Sequence, residues 1–118
     1  MAQLTIYHNP QCSKSREAMA LLESQGVSFQ VIEYLKHSPS EQELRDLISL
    51  LDTPVSSLVR VKEEEYLASP FDVNSVDEVV RHLAKYPRLM ERPVVVREDI
   101  AVIGRPVEKI KDLLRAGK

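Results

Sequence analysis

The sequence predicts an α/β fold, a mixed sheet of about four strands covered by helices. Three observations predict it. A strand, a helix and a strand fill roughly the first 34 residues, the size of one βαβ unit. Two S-x-x-E capping signatures then head segments of strong helical periodicity. Finally, an unbroken valine run, a polar turn and a second apolar run form a strand pair ahead of a last helix. With 118 residues, the chain is read as one domain, 1–118, with one core.

The elements follow in order. Leu4 and Ile6, flanked by Thr5 and Tyr7, make a short strand of β-prone residues. Asn9-Pro10 ends it as a turn. Residues 13 to about 24 are helical, with Ala18, Met19, Leu21 and Leu22 apolar and Gly26 a stop signal. Residues 29–34 form a second strand, parallel to the first through a right-handed crossover. Ser40 and Glu43 form a capping box ahead of Leu44, Leu47, Ile48 and Leu51, which recur at i, i+3, i+4 and i+7. Thr53 is expected as an N-cap before Pro54, opening a short helix that carries Leu58 and Val59 toward Arg60. Ser75 and Glu78 repeat the box signature ahead of Val76, Val79, Val80 and Leu83. Residues from about 36 to 88 are therefore a helical block. Val94, Val95 and Val96 suggest a strand buried on both faces. Glu98-Asp99 turns the chain into an antiparallel partner over 100–103. Pro106 opens a last helix bearing Val107, Ile110, Leu113 and Leu114.

Composition narrows the function. The formal net charge is −2, from 16 basic and 18 acidic residues, so there is no global footprint for nucleic acid. Four tyrosines and two phenylalanines form no stacking stripe. No apolar run approaches the ~18 residues of a membrane span, and the N-terminus does not read as a secretory signal. A single cysteine excludes an internal disulfide framework and fits a reducing compartment, with cytoplasm the default. His37 and His82 have no partners at metal-ligand spacing, so no metal is expected. A monomer is expected.

The one cysteine stands in YHNPQCSKSR, between the first strand and the first helix. Backbone N–H groups at a helix start lack internal partners and carry partial positive charge. A thiolate there is stabilised, and the same groups can hold an oxyanion. Lys14 and Arg16 add cations, and His8 can add another. The plain alternative is a buried cysteine that only fills space. The position three residues on, where a dithiol enzyme has its second cysteine, is Ser15. Any redox chemistry at Cys12 therefore borrows its reducing thiols. Ser15 and Ser13 are read as capping the helix or donating to the sulfur. Arg60, Arg92 and Arg105 stand beside structural punctuation, and arginine suits oxyanions through its planar fork. Pro93, at the head of the valine strand, is a candidate cis-proline.

Together, YHNPQCSKSR, Arg60, LMERPVVV at 89–96 and IGRP at 103–106 resemble the glutaredoxin-coupled arsenate reductase (ArsC-like) family along essentially the whole chain. The resemblance implies a thioredoxin-like fold with a helical insertion, here at about 36–88. It implies Cys12 as nucleophile, His8 as a neighbour favouring the thiolate, Arg60, Arg92 and Arg105 as oxyanion ligands, and a cis Pro93. It further implies an oxidoreductase with glutathione as co-substrate, glutaredoxin as partner and no tightly bound cofactor. Better-known members carry glycine and threonine where this chain has Ser13 and Lys14. The Glu63-Glu64-Glu65 run beside Arg60 reads as a solvated helix face, or as carboxylates that weaken anion affinity. Two alternatives stand beside arsenate reduction. One is a glutathione-dependent reductase of another substrate. The other is a protein-binding module like the Spx-type regulators, whose cysteine pair Ser15 interrupts.

Overall fold

A computed structural model describes residues 4–116. Four strands, β1 (Leu4–Tyr7), β2 (Phe29–Ile32), β3 (Val94–Arg97) and β4 (Ile100–Ile103), form one sheet in the order β2-β1-β3-β4. β1 runs parallel to β2 and antiparallel to β3, and β3 runs antiparallel to β4. The sheet is mixed, with the expected hairpin at its end. Glu98 takes a positive φ of 51° in the turn of that hairpin.

Alternation along the strands builds two cores, because successive side chains point to opposite faces. Leu4, Ile6, Val95 and Val102 face one side with Ala18 and Leu22 of α1 (Ser13–Ser24) and Ile110 and Leu113 of α5 (Glu108–Ala116). Tyr7, Val94, Ala101 and Ile103 face the other side and meet the insertion. That insertion contains α2 (Glu41–Leu50), α3 (Glu64–Ala68) and α4 (Val76–Lys85), with 3-10 turns at Val55–Leu58 and Pro87–Leu89. Leu44, Leu47, Val79, Val80 and Leu83 carry its buried faces. The expected burial of the valine run on both sides follows from β3 being an inner strand covered by both layers.

Several boundaries differ from the sequence expectation, each for a local reason. β2 ends at Ile32 rather than 34, since β1 itself ends and the His8 N–H makes the last bond to the Ile32 carbonyl at 2.9 Å. The Glu33 carbonyl is then taken by the N–H groups of Lys36 and His37, and Tyr34 turns inward. The α2 capping box is complete, with Glu43 N–H donating to Ser40 Oγ and Ser40 N–H to Glu43 Oε1. Leu51 leaves the helix in an extended conformation and bridges Ala101, docking the insertion on β4. Pro54, not Thr53, holds the N-cap of the next turn, and the Thr53 hydroxyl pairs instead with that of Ser57. At α4, Ser75 caps Glu78, but the Glu78 carboxylate accepts from Asp72 N–H, so the box is only half formed. Val76 stays exposed. Pro106 precedes α5 by two residues, and the Arg105–Pro106 bond is cis, which the sequence reading missed.

Two hydrogen bonds of 2.7 Å, from Arg60 N–H to the Leu89 carbonyl and from Glu91 N–H to the Leu58 carbonyl, tie two insertion segments around a Val59–Met90 bridge. Gly104 closes the other side. An added Cβ there would lie 2.7 Å from Ile110 Cδ1 and 3.1 Å from Pro93 Cγ. Ile110 is fully buried. Gly104→Ala is therefore expected to destabilise the protein by about 1–3 kcal/mol through overpacking. Urea unfolding would read this as a lower midpoint at unchanged slope.

Candidate active site

The end of β1, the start of α1 and the loops flanking β3 and β4 meet at one end of the sheet. Asn9 organises the turn between β1 and α1. Its N–H donates to Ser15 Oγ at 3.0 Å, its carbonyl accepts from Cys12 N–H at 3.0 Å, and its Oδ1 accepts from Gln11 N–H at 2.9 Å. Cys12 thereby becomes the N-cap residue of α1, in extended conformation, with its carbonyl accepting from Arg16 N–H. The thiol is free and 8% exposed.

The acidity of Cys12 follows from this position. Burial pushes the thiol pKa up, but the N–H groups of Ser15 and Lys14 pull it down, and the charge and hydrogen bonding of Arg92 pull it further. The net displacement is downward from 9.0, so the helix start and an arginine outweigh desolvation. Arg105 adds a direct contact, donating from Nη2 to Cys12 Sγ at 3.5 Å.

The other cations expected near the thiol are otherwise engaged. Lys14 Nζ faces Glu17 at 3.8 Å on the surface, and Arg16 donates to the Pro10 carbonyl at 2.8 Å. His8 is buried, and burial lowers its pKa below 6.5, with Glu33 opposing and Arg16 assisting. Burial thus disfavours a positive charge on it, and its Nδ1 has no hydrogen-bond partner. The hydroxyl of Ser15 accepts from Asn9 and shapes the loop, while its backbone N–H acts on the sulfur.

Arg92 and Arg105 come together because Arg92–Pro93 and Arg105–Pro106 flank the paired ends of β3 and β4, with Gly104 N–H donating to the Pro93 carbonyl at 2.9 Å. The Arg92–Pro93 bond is cis. Arg105 Nε donates to the Arg92 carbonyl at 2.7 Å. Glu91 Oε1 accepts from Arg92 N–H and Nη1 and lies 3.7 Å from Arg105 Nε, so one carboxylate braces both guanidinium groups. Arg92 Nε is buried without a partner, an open donor beside the thiol.

Arg60 reaches the same place from the insertion. A cavity of about 310 Å³ is lined by Cys12, Arg60, Arg88, Arg92, Glu63 and Tyr34, among others. Arg88 and Tyr34 are site residues that sequence reasoning missed. Arg88 carried no motif. Tyr34 was read as strand, and its site position depends on β2 ending early. Burial holds the Tyr34 phenol neutral, its pKa raised to about 12 against the lowering pull of Arg92 and Arg60. Of the glutamate run, Glu64 is exposed as expected, but Glu63 and Glu65 are not part of a solvated face. Glu63 pairs with Arg60 at 2.8 Å and Arg88 at 3.3 Å, and Glu65 meets Arg88 at 3.5 Å. Both carboxylates are largely covered, at 19% and 25% side-chain exposure. Among the described residues, no cluster of three or more His, Cys, Asp or Glu could hold a metal ion, and no helix is long and apolar enough to cross a membrane.

Fold and site together define a thioredoxin-like domain with an acidic, arginine-ringed single thiol. Comparison with known proteins places it more closely: residues 7–113 match the ArsC family, and the chain belongs to that family. It is 38% identical over 117 residues to the arsenate reductase of Neisseria meningitidis serogroup A, covering 97% of this chain and 100% of the relative. An arsenate reductase of Escherichia coli is 34% identical over 116 residues, with 97% and 82% covered. The solved structure of arsenate reductase from Vibrio cholerae superposes with a TM-score of 0.85 at 45% identity, covering 93% of this chain and 96% of that one.

The lowered thiol pKa has a pH signature. Since folding depresses it below 9.0, the thiolate contributes stability above that pH, and the contribution is lost as pH falls through the folded pKa. Alkylation of Cys12 by iodoacetamide is expected to stay fast below pH 9.0 and to slow only through the lowered value. Arg92→Met, which removes a charge and a donor, is expected to move that fall in rate to higher pH.

Proposed function

We propose that this protein reduces arsenate to arsenite through a covalent adduct on Cys12, with glutathione and glutaredoxin as reductants. The observation that carries the reading is the thiolate-stabilised Cys12 at a helix start, contacted by Arg105 and acted on by Arg92, in a cavity that Arg60 also lines. An acidic thiol is a nucleophile at neutral pH, and converging guanidinium groups neutralise a tetrahedral oxyanion that would otherwise repel it. The arsenate reductases among its relatives support arsenate as the substrate.

The thiolate attacks As(V), an S–As bond forms and one arsenate oxygen leaves as water after protonation. Arg60, Arg92 and Arg105 hold the remaining oxygens. Glutathione displaces a second oxygen as water, giving an arsenic atom bonded to two sulfurs. The thiol of glutaredoxin then attacks the glutathione sulfur. A mixed disulfide forms, the S–As bond breaks, and its electron pair reduces arsenic to As(III). Water releases arsenite and restores Cys12. In sum, one arsenate and two thiols give one arsenite, one mixed disulfide and one water. Two thiols are borrowed, which matches a chain with one cysteine.

The test is arsenate-dependent NADPH oxidation with glutathione, glutaredoxin and glutathione reductase. Turnover is expected only with all components present, and Cys12→Ser is expected to abolish it. Arg92→Ala and Arg105→Ala are each expected to lower kcat/KM by about 10²–10³, the effect of removing one oxyanion donor. Full activity in Cys12→Ser would overturn the mechanism.

A further inference from the structure

We infer that Glu63 is an internal anion that holds the oxyanion seat between Arg60 and Arg88, and that a doubly charged tetrahedral oxyanion enters by displacing it. The inference rests on the cavity being an oxyanion site, as proposed above, and adds how that site selects.

Glu63 lines the same cavity as Cys12. Its two carboxylate oxygens are divided between two cations, Oε2 on Arg60 Nη2 at 2.8 Å and Oε1 on Arg88 Nη2 at 3.3 Å. That is how a bound oxyanion spreads its oxygens over paired guanidinium groups. The backbone of Glu63 is fixed. Its N–H donates to the Arg60 carbonyl at 3.1 Å, and its carbonyl accepts from Leu67 N–H at 3.0 Å at the start of α3. Only the side chain has to move.

Both arginines keep other contacts when it does. Arg60 Nη1 still donates to the Arg88 carbonyl at 3.2 Å, and Arg88 Nη1 keeps Glu65 at 3.5 Å. The seat therefore survives the loss of its occupant. Glu63 also lines a second cavity of about 360 Å³ with Lys62, Glu91 and Arg105, which gives the carboxylate a cationic place to go. Glu91 also faces two guanidinium groups, but through one oxygen that the Arg92 N–H anchors as well, and it is not among the residues lining the Cys12 cavity.

Displacement filters by charge. A singly charged anion offers the arginines no more charge than the carboxylate it replaces. A dianion such as arsenate, phosphate or sulfate offers more, and it also neutralises Arg92. Glu63 is thus a specificity-determining residue for dianionic tetrahedral oxyanions.

The test is protection of Cys12 from iodoacetamide in the full-length protein. Arsenate, phosphate, sulfate and nitrate are titrated at constant ionic strength, and each variant is referred to its own unprotected rate. In Glu63→Gln the half-protecting concentration of arsenate and of phosphate is expected to fall about fivefold, equivalent to about 1 kcal/mol. Nitrate is expected to protect Glu63→Gln but not the parent protein. Should Glu63→Gln fail to fold, Glu63→Asp, whose shorter carboxylate cannot bridge both arginines, is expected to shift the same way. Unchanged or raised half-protecting concentrations overturn the inference, as does protection by no anion in either protein. Arsenate turnover is scored separately. Absent turnover with tightened phosphate protection leaves the displacement standing and removes the reductase reading. Turnover with unchanged protection does the reverse.

Discussion

The arrangement depends on one register: Tyr7 opposite Val94 in the antiparallel pair of β1 and β3. Tyr7 is the last residue of β1, and five positions later the chain reaches Cys12 and enters α1. Val94 is the first residue of β3, directly after Arg92 and Pro93. Pairing these ends sets the thiol beside the arginine that most affects its charge. Val94 also pairs with Ile103, which carries Gly104 and Arg105 to the same end of the sheet. A slip of one residue in β3 would turn Val95 out of the core that holds Ile6 and Val94 out of the core that holds Tyr7. The hydrophobic demands of both faces thus fix where Cys12 lies relative to Arg92 and Arg105.

The chemistry of Cys12 is a contest between burial and local polarity. Taken alone, burial would make it an inert thiol. The free N–H groups of the first turn of α1 and the charge of Arg92 reverse that outcome. His8 illustrates the opposite result in the same loop. Burial wins there, disfavouring a charged ring. Position relative to a helix start, more than the presence of basic residues nearby, decides which group is charged.

Much of this was legible in the sequence, and the limits are physical. β1, α1, the α2 capping box and the β3–β4 hairpin are local patterns, and each forms where period and turn chemistry put it. Cys12 could be placed because Asn9-Pro10 marks the turn and Ser13 begins the helix. The arginines could be named but not seen to converge, since convergence requires the strand register and the Val59–Met90 bridge, both long-range pairings. The glutamate run misled because a charged helix start is usually wet. Here Arg88, brought in from 25 positions away, covers Glu63. The end of β2 at Ile32 is obscured because β-prone Tyr34 follows Glu33 and extends the apparent alternation. Nothing local announced that β1 would stop supplying partners.

The residues gathered around Cys12 come from two bodies of the fold. Cys12, Arg92 and Arg105 belong to the sheet and its helix, while Arg60, Glu63 and Arg88 ride on the insertion, held to its own second segment by the Leu58–Glu91 and Arg60–Leu89 bonds. The groups that set thiol acidity all lie in the first body. In the proposed reading, thiol acidity is set within the first body alone, while the contacts to an anion come from both. On that reading, a change confined to the insertion can alter how an anion is held while the acidity of Cys12 stays as it is.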